Sequence, residues 1–394
     1  MQQASPHRGM WAAVYTPAFL LGVPSQAIAV LLPLYVLSLG GSPAQAAFAV
    51  ALRGLGMMAM DVPAGMIAAR IGEKTVMLGA VALIGASYAL FATTGGVNFV
   101  LVTAFAYGAG SSSFLLGRMS YIASHCDIDR RGRVIAMIAG TLRVCALVGP
   151  FIGSAIADSW GFETAFALSA ALIVVAFFSV IVWADGTHED RRAPGFADIA
   201  AVASVQRRDL ITAGSAAISF MLMRASRTVL IPLFGDHLGL SVAEIGLIVS
   251  ASALIDVSLF YPAGLIMDRW GRRATAVPSS VIFALALALL APVVGFYSLL
   301  GVALLLGIAN GLSTGIVLTL GTDLAPPERR SEFLGLWRLL TDLGSTSGPL
   351  LVGGVVKMAS LAVAPLVVGA CGLAGAFIVW RFVEETLRPT HVRE

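Results

Sequence analysis

Charge is scarce in this 394-residue sequence, where Asp, Glu, Lys and Arg together make up 12%, about half the share of an ordinary soluble domain. A chain so poor in charge cannot cover a large water-exposed surface. Cysteine is scarcer still: Cys126, Cys145 and Cys371 form no CxxC pair, which excludes a disulfide framework or a zinc site. The five histidines, His7, His125, His188, His237 and His391, fall at termini and loops, too scattered for a metal centre. There is no GxxxxGK[ST] phosphate loop, so ATP is not the expected energy source, and no cofactor is implied. Nor does any apolar segment carry a clustered nucleophile and base, so the chain does not read as an enzyme.

What is present is apolar. Hydrophobic residues are 58% of the chain and the mean hydropathy is +0.89. Runs of the length needed to cross a hydrocarbon core, about 20 residues each, recur along nearly the whole sequence. Twelve spans are expected, at 10–38, 44–69, 74–95, 97–123, 133–158, 162–184, 209–234, 242–267, 273–296, 297–323, 331–357 and 361–384. The first is too long for a removable signal peptide and lacks a small-residue cleavage site, so it is expected to stay as a membrane helix. Of the 25 lysines and arginines, 18 fall on one set of alternating loops and termini and only Lys357 on the other. By the positive-inside rule this places both termini in the cytoplasm of a cell (inner or plasma) membrane. The basic excess reports orientation and gives no reason to expect a nucleic-acid partner.

The sequence repeats itself. A constant offset of 199 residues carries Pro33, Leu34, Leu39, Gly40 and Ser42 onto Pro232, Leu233, Leu238, Gly239 and Ser241. The same offset carries Pro63, Ala64, Gly65, Arg70 and Gly72 onto Pro262, Ala263, Gly264, Arg269 and Gly271, and Gly149 and Pro150 onto Gly348 and Pro349. This is the pattern of a duplicated six-helix unit whose copies insert in the same orientation. The expected domains are a bundle at 1–184, a cytoplasmic linker at 185–208 with a short interfacial helix at 197–206, and a second bundle at 209–394.

The segment "GLIMDRWGRR", from Gly264, resembles the GxxxDRxGRR signature of the major facilitator superfamily between the second and third helices of a half. Its first copy, "GMIAARIGEK", keeps Gly65, Arg70, Gly72 and Lys74 but has Ala69 in place of the aspartate. "GPFIGS", from Gly149, resembles the fifth-helix GPxxGG pattern of that family's exporters. The resemblance covers essentially the whole chain and implies an all-α membrane fold of twelve helices in two pseudo-twofold-related bundles. Physically, Gly264 is expected to let neighbouring helices approach closely and Gly271 to permit a tight turn. Asp268 is expected to cap helices of the other half or to pair with an arginine among Arg269, Arg272 and Arg273. The cluster reads as a latch on the cytoplasmic side, with a weaker copy at Gly65, Arg70 and Gly72.

Nine ionisable residues fall inside the spans: Arg53, Asp61, Arg118, Arg143, Arg224, Arg227, Asp256, Arg338 and Asp342. Each costs on the order of 3 kcal/mol at bilayer depth, so each needs a partner, water or a substrate. Depth along the helices, at about 1.5 Å per residue, together with the family arrangement, matches Asp61 with Arg338 and Arg143 with Asp256. Asp342 lies one turn from Arg338 and is placed to share it. Arg53, Arg118, Arg224 and Arg227 have no acidic mate at matching depth. Arg224 and Arg227 share a face of the seventh helix, which lines the central cavity in the family, and read as an anion-attracting site; snorkelling or bonding to backbone carbonyls is the bland reading for Arg53 and Arg118. Gln26 and Asn310 are further candidate substrate contacts, although such residues more often serve helix packing.

The expected function is secondary transport by a monomer using alternating access, with protons as the coupling ion and a small molecule as the substrate. The GPxxGG resemblance points to efflux of an amphipathic anion or zwitterion by proton antiport; the alternative is proton-coupled uptake of a small organic acid or sugar. A transporter-like sensor is the remaining reading, disfavoured because the chain carries no added soluble output domain.

Overall fold

The computed structural model describes residues 14–93, 95–184, 186 and 204–385. The expected interfacial helix at 197–206 lies largely outside them. The described chain is α-helical throughout its spans. The first half contains α1 (Thr16–Ser38), α2 (Pro43–Asp61), α3 (Pro63–Ile71), α4 (Glu73–Phe91), α5 (Val97–His125), α6 (Ile128–Trp160) and α7 (Phe162–Trp183). The second contains α8 (Arg207–His237), α9 (Val242–Trp270), α10 (Arg272–Ala288), α11 (Phe296–Leu312), α12 (Ile316–Leu324), α13 (Arg330–Met358) and α14 (Ala364–Phe382).

Among the described residues, ten helical segments are long and apolar enough to cross a membrane, and a bent pair makes an eleventh. The remaining expected span is α10, whose 17 residues are short for a membrane crossing. Two expected straight spans are interrupted. The span expected at 44–69 is α2 followed by α3, bent by 45°, because Pro63 has no N–H to donate and its ring crowds the preceding turn. The matching Pro262 leaves α9 continuous. The span expected at 297–323 is α11 and α12, separated at Ser313–Gly315, where Gly315 takes φ +89°.

The repeat in the sequence is a repeat in local structure. α2 opens with a capping box in which Ser42 and Gln45 exchange hydrogen bonds of 2.9 and 3.3 Å. At the offset positions Ser241 and Glu244 do the same at 2.8 and 3.2 Å, satisfying backbone donors that the helix itself leaves orphaned. Gly72 and Gly271, at φ +89° and +96°, make the same left-handed turn, which a side chain would strain.

By contacts the chain divides into two compact units, residues 1–193 with 235–250, and residues 194–234 with 251–394. In the first, Tyr35, Tyr88, Phe91, Tyr107 and Phe166 bury their rings against one another, with Phe166 5.1 Å from Tyr35 and 5.3 Å from Phe91. This cluster joins α1, α4, α5 and α7. Large apolar residues such as Val102, Phe178, Val182 and Leu318 are exposed, as expected of helices solvated by lipid. Since lipid is as apolar as a helix interface, Phe166→Ala loses packing without a transfer term. We expect a destabilisation of roughly 2 kcal/mol, measurable as a lower midpoint of thermal unfolding in detergent.

Candidate coupling and substrate site

Asp256, midway along α9, is the best-furnished intramembrane acid. The amide of Asn310 on α11 donates to its Oδ2. Thr314 Oγ1 lies 3.3 Å from Oδ1 and 2.9 Å from the carbonyl oxygen of Asn310, so its one proton serves either acceptor in turn. Backbone packing makes these bonds possible. A Cβ on Gly307 would stand 2.5 Å from the Ser252 carbonyl oxygen, and one on Gly311 would stand 2.8 Å from that of Asp256. The two glycines, one turn apart, seat α11 directly on α9 and deliver Asn310 to the carboxylate. The break after α11 then places Thr314 on the same side as Asn310.

Arg227 completes the group. It sits on α8 within electrostatic reach of Asp256 and of Arg224, and its Nη1 donates to the Leu306 carbonyl oxygen at 3.4 Å. Arg227 forms no ion pair with Asp256 among the described residues, but depth along separate helices did not reveal that the two share a neighbourhood. One partly buried neighbourhood therefore combines a carboxylate, an amide, a hydroxyl and a cation, with a second cation one turn away.

The first unit is furnished differently. Asp61, the last residue of α2 before the bend, accepts a short hydrogen bond from Ser112 on α5. Arg53 lies 5.5 Å from the centre of the Tyr107 ring, a cation–π contact that satisfies part of its charge. Arg118 is 4% exposed, stands 5.4 Å from the Phe114 ring, and its Nε has no hydrogen-bond partner among the described residues. In the second unit Arg338 and Asp342 form the expected pair one turn apart, at 3.4 Å. The expected pairings of Asp61 with Arg338 and of Arg143 with Asp256 each join residues of different units and remain expectations.

The signature positions line the rim that carries the basic loops. Asp268 does meet an arginine: Arg272 Nη1 is 3.8 Å away, and Arg272 Nε donates to Asp323 at 2.9 Å. Glu385 accepts from the backbone N–H groups of Arg272 and Arg273 at 2.8 and 3.0 Å, placing a carboxylate on the positive end of α10. The reading of Gly264 as a close helix contact is corrected, because a Cβ there or at Gly65 would meet nothing within 4 Å; both glycines face open space. The close approach belongs to Gly149, where a Cβ would stand 2.6 Å from the Val23 carbonyl oxygen and 2.9 Å from Gln26, and to Gly348, matched against Leu222 at 2.5 Å. Gly149 and Pro150 thus fit α6 onto α1, and Gln26 belongs to that packing. Asp323 and Glu385 escape a linear reading; Ser112 and Thr314 read in the sequence only as polar positions on cavity helices, and their acidic partners come from the fold.

The family model of the Major Facilitator Superfamily matches residues 17–223 and again 212–394. The chain belongs to the Major Facilitator Superfamily. This member is 23% identical over 386 residues to the multi-drug resistance efflux pump PmrA homolog of Lactococcus lactis, covering 93% of the chain and 92% of the relative. It is 28% identical over 170 residues to the hexuronate transporter of Bacillus subtilis, a match spanning 43% of the chain and only 40% of that protein. Its fold is similar to the crystal structure of a nucleoside transporter, with a TM-score of 0.78, 15% identity, and coverage of 95% of this chain and all of the other. The protein is therefore an integral membrane transporter of this superfamily.

Proposed function

We propose that this superfamily member is a proton-coupled transporter of a small organic anion, working by alternating access with the basic loops and both termini on the cytoplasmic side. The observation that carries the reading is the placement of Asp256 within electrostatic reach of Arg227, with Asn310 and Thr314 holding the carboxylate. An ionised Asp256 neutralises Arg227 and leaves little attraction for an anionic substrate. A protonated Asp256 is still held by Asn310 and Thr314 but releases the guanidinium, supported by Arg224, for a carboxylate. Proton and anion then bind together, which is the logic of symport. Likeness to a hexuronate transporter supports a sugar acid or similar carboxylate as the substrate class.

Efflux is the second reading, favoured by likeness to a multi-drug efflux pump over 93% of the chain and by the tight Gly149 contact. Proteoliposomes decide between them. Symport is expected to concentrate a labelled hexuronate, but not the matching neutral hexose, inside vesicles with an acid exterior, and to lose that accumulation with an uncoupler. Uptake indifferent to the proton gradient, or equal for acid and neutral sugar, would overturn the anion-symport reading. Proton-driven transport in the opposite sense would establish antiport.

A further inference from the structure

The two basic rims can be compared residue by residue at the offset of 199. One tie is conserved in kind: Arg273 donates to the Trp380 carbonyl oxygen, and Lys74 donates to the carbonyl oxygen of Ile181, its exact counterpart, at 2.9 Å. The neighbouring tie is inverted. Where the second half joins Arg272 to Asp323 at 2.9 Å, the first half has Glu73 and Ser124 at the matching positions. Ser124 Oγ lies 2.7 Å and Ser120 Oγ 3.3 Å from Glu73 Oε1. The acceptor is now on the third span and the donor on the fourth, the reverse of the second half. Glu73 is 5% exposed, and the neighbouring His125 is stacked on Tyr121 at 4.1 Å. Gly186 stands where the second half has Glu385.

We propose that Glu73 is a positioning residue that ties α4 to α5 at the rim of the first half, through hydroxyl donors instead of an ion pair. A buried carboxylate cannot shed these donors without exposing an uncompensated charge. Its partners are hydroxyls where the second rim's is an arginine, so removing Ser124 is expected to let α4 part from α5 at the first rim. The inference goes beyond the proposed transport reading and is tested without any substrate.

The native Cys126 is buried two residues beyond Ser124, and Cys145 is buried within α6. Full-length protein in liposomes is treated with a membrane-permeant maleimide, and labelling at each cysteine is followed by peptide mass spectrometry. Ser124→Ala is expected to speed labelling of Cys126 about tenfold, the factor corresponding to loss of a hydrogen bond to a charged group, with Cys145 still protected. Glu73→Arg alone is expected to do the same. Glu73→Arg combined with Ser124→Asp, which transplants the second rim's pair, is expected to return Cys126 to wild-type protection, a rescue that mere loss of packing cannot give. Unchanged Cys126 labelling in Ser124→Ala, or a double variant labelled as fast as Glu73→Arg, would overturn the proposal. Should Glu73→Arg fail to fold, the conservative Ser124→Ala result decides alone.

Discussion

Asp256→Asn is expected to abolish accumulation driven by a proton gradient while leaving exchange of labelled for unlabelled anion intact. The amide has the shape of the protonated acid, and its oxygen still accepts from Asn310, so the packing of α11 on α9 survives. What it cannot do is ionise. In the wild-type protein an ionised Asp256 carboxylate competes with the anion for Arg227. In the variant that competition is gone. A gradient does work only if proton and anion binding are linked, so the transport step persists and the coupling disappears. Counterflow and gradient-driven uptake, measured in one proteoliposome preparation, check both halves of the statement. Gradient-driven uptake at the wild-type level would remove Asp256 from the coupling mechanism.

Arg227→Ala is expected to weaken anion binding by about 2 to 4 kcal/mol, on the order of 100-fold, the cost of truncating one member of a buried charge pair. A neutral analogue should lose far less. The same substitution destabilises the protein, because it leaves Asp256 on α9 with its counter-charge removed. These effects separate in the double variant: adding Asp256→Asn restores the midpoint of thermal unfolding, since no buried charge is left over, but does not restore anion affinity. Isothermal titration with a carboxylate ligand, alongside thermal unfolding, gives both quantities. Equal losses for anionic and neutral ligands would make Arg227 a packing residue.

Much of this was legible before any coordinates. Apolar run length marks the spans because a helix crossing hydrocarbon must satisfy its own backbone, a requirement met within about 20 consecutive residues. The duplication reappears as the paired capping boxes at Ser42 and Ser241 and the paired turns at Gly72 and Gly271. Arg338 and Asp342 meet as expected, because residues four apart on one helix are neighbours whatever surrounds them. The readings that needed correction are of another kind. Gly264 looked like a packing glycine and faces open space, and two straight spans are interrupted.

Composition and periodicity by themselves determined that this is a membrane protein, that its two halves share one plan, and where its turns and caps fall. All of these depend on residues a few positions apart or on one constant offset. Only the tertiary structure decided which charges share a neighbourhood. In lipid no hydrophobic force turns a helix toward its partner. The rotation of α11 against α9 is instead set by how closely Gly307 and Gly311 let the backbones meet, and that contact brings Asn310 and Thr314 to Asp256.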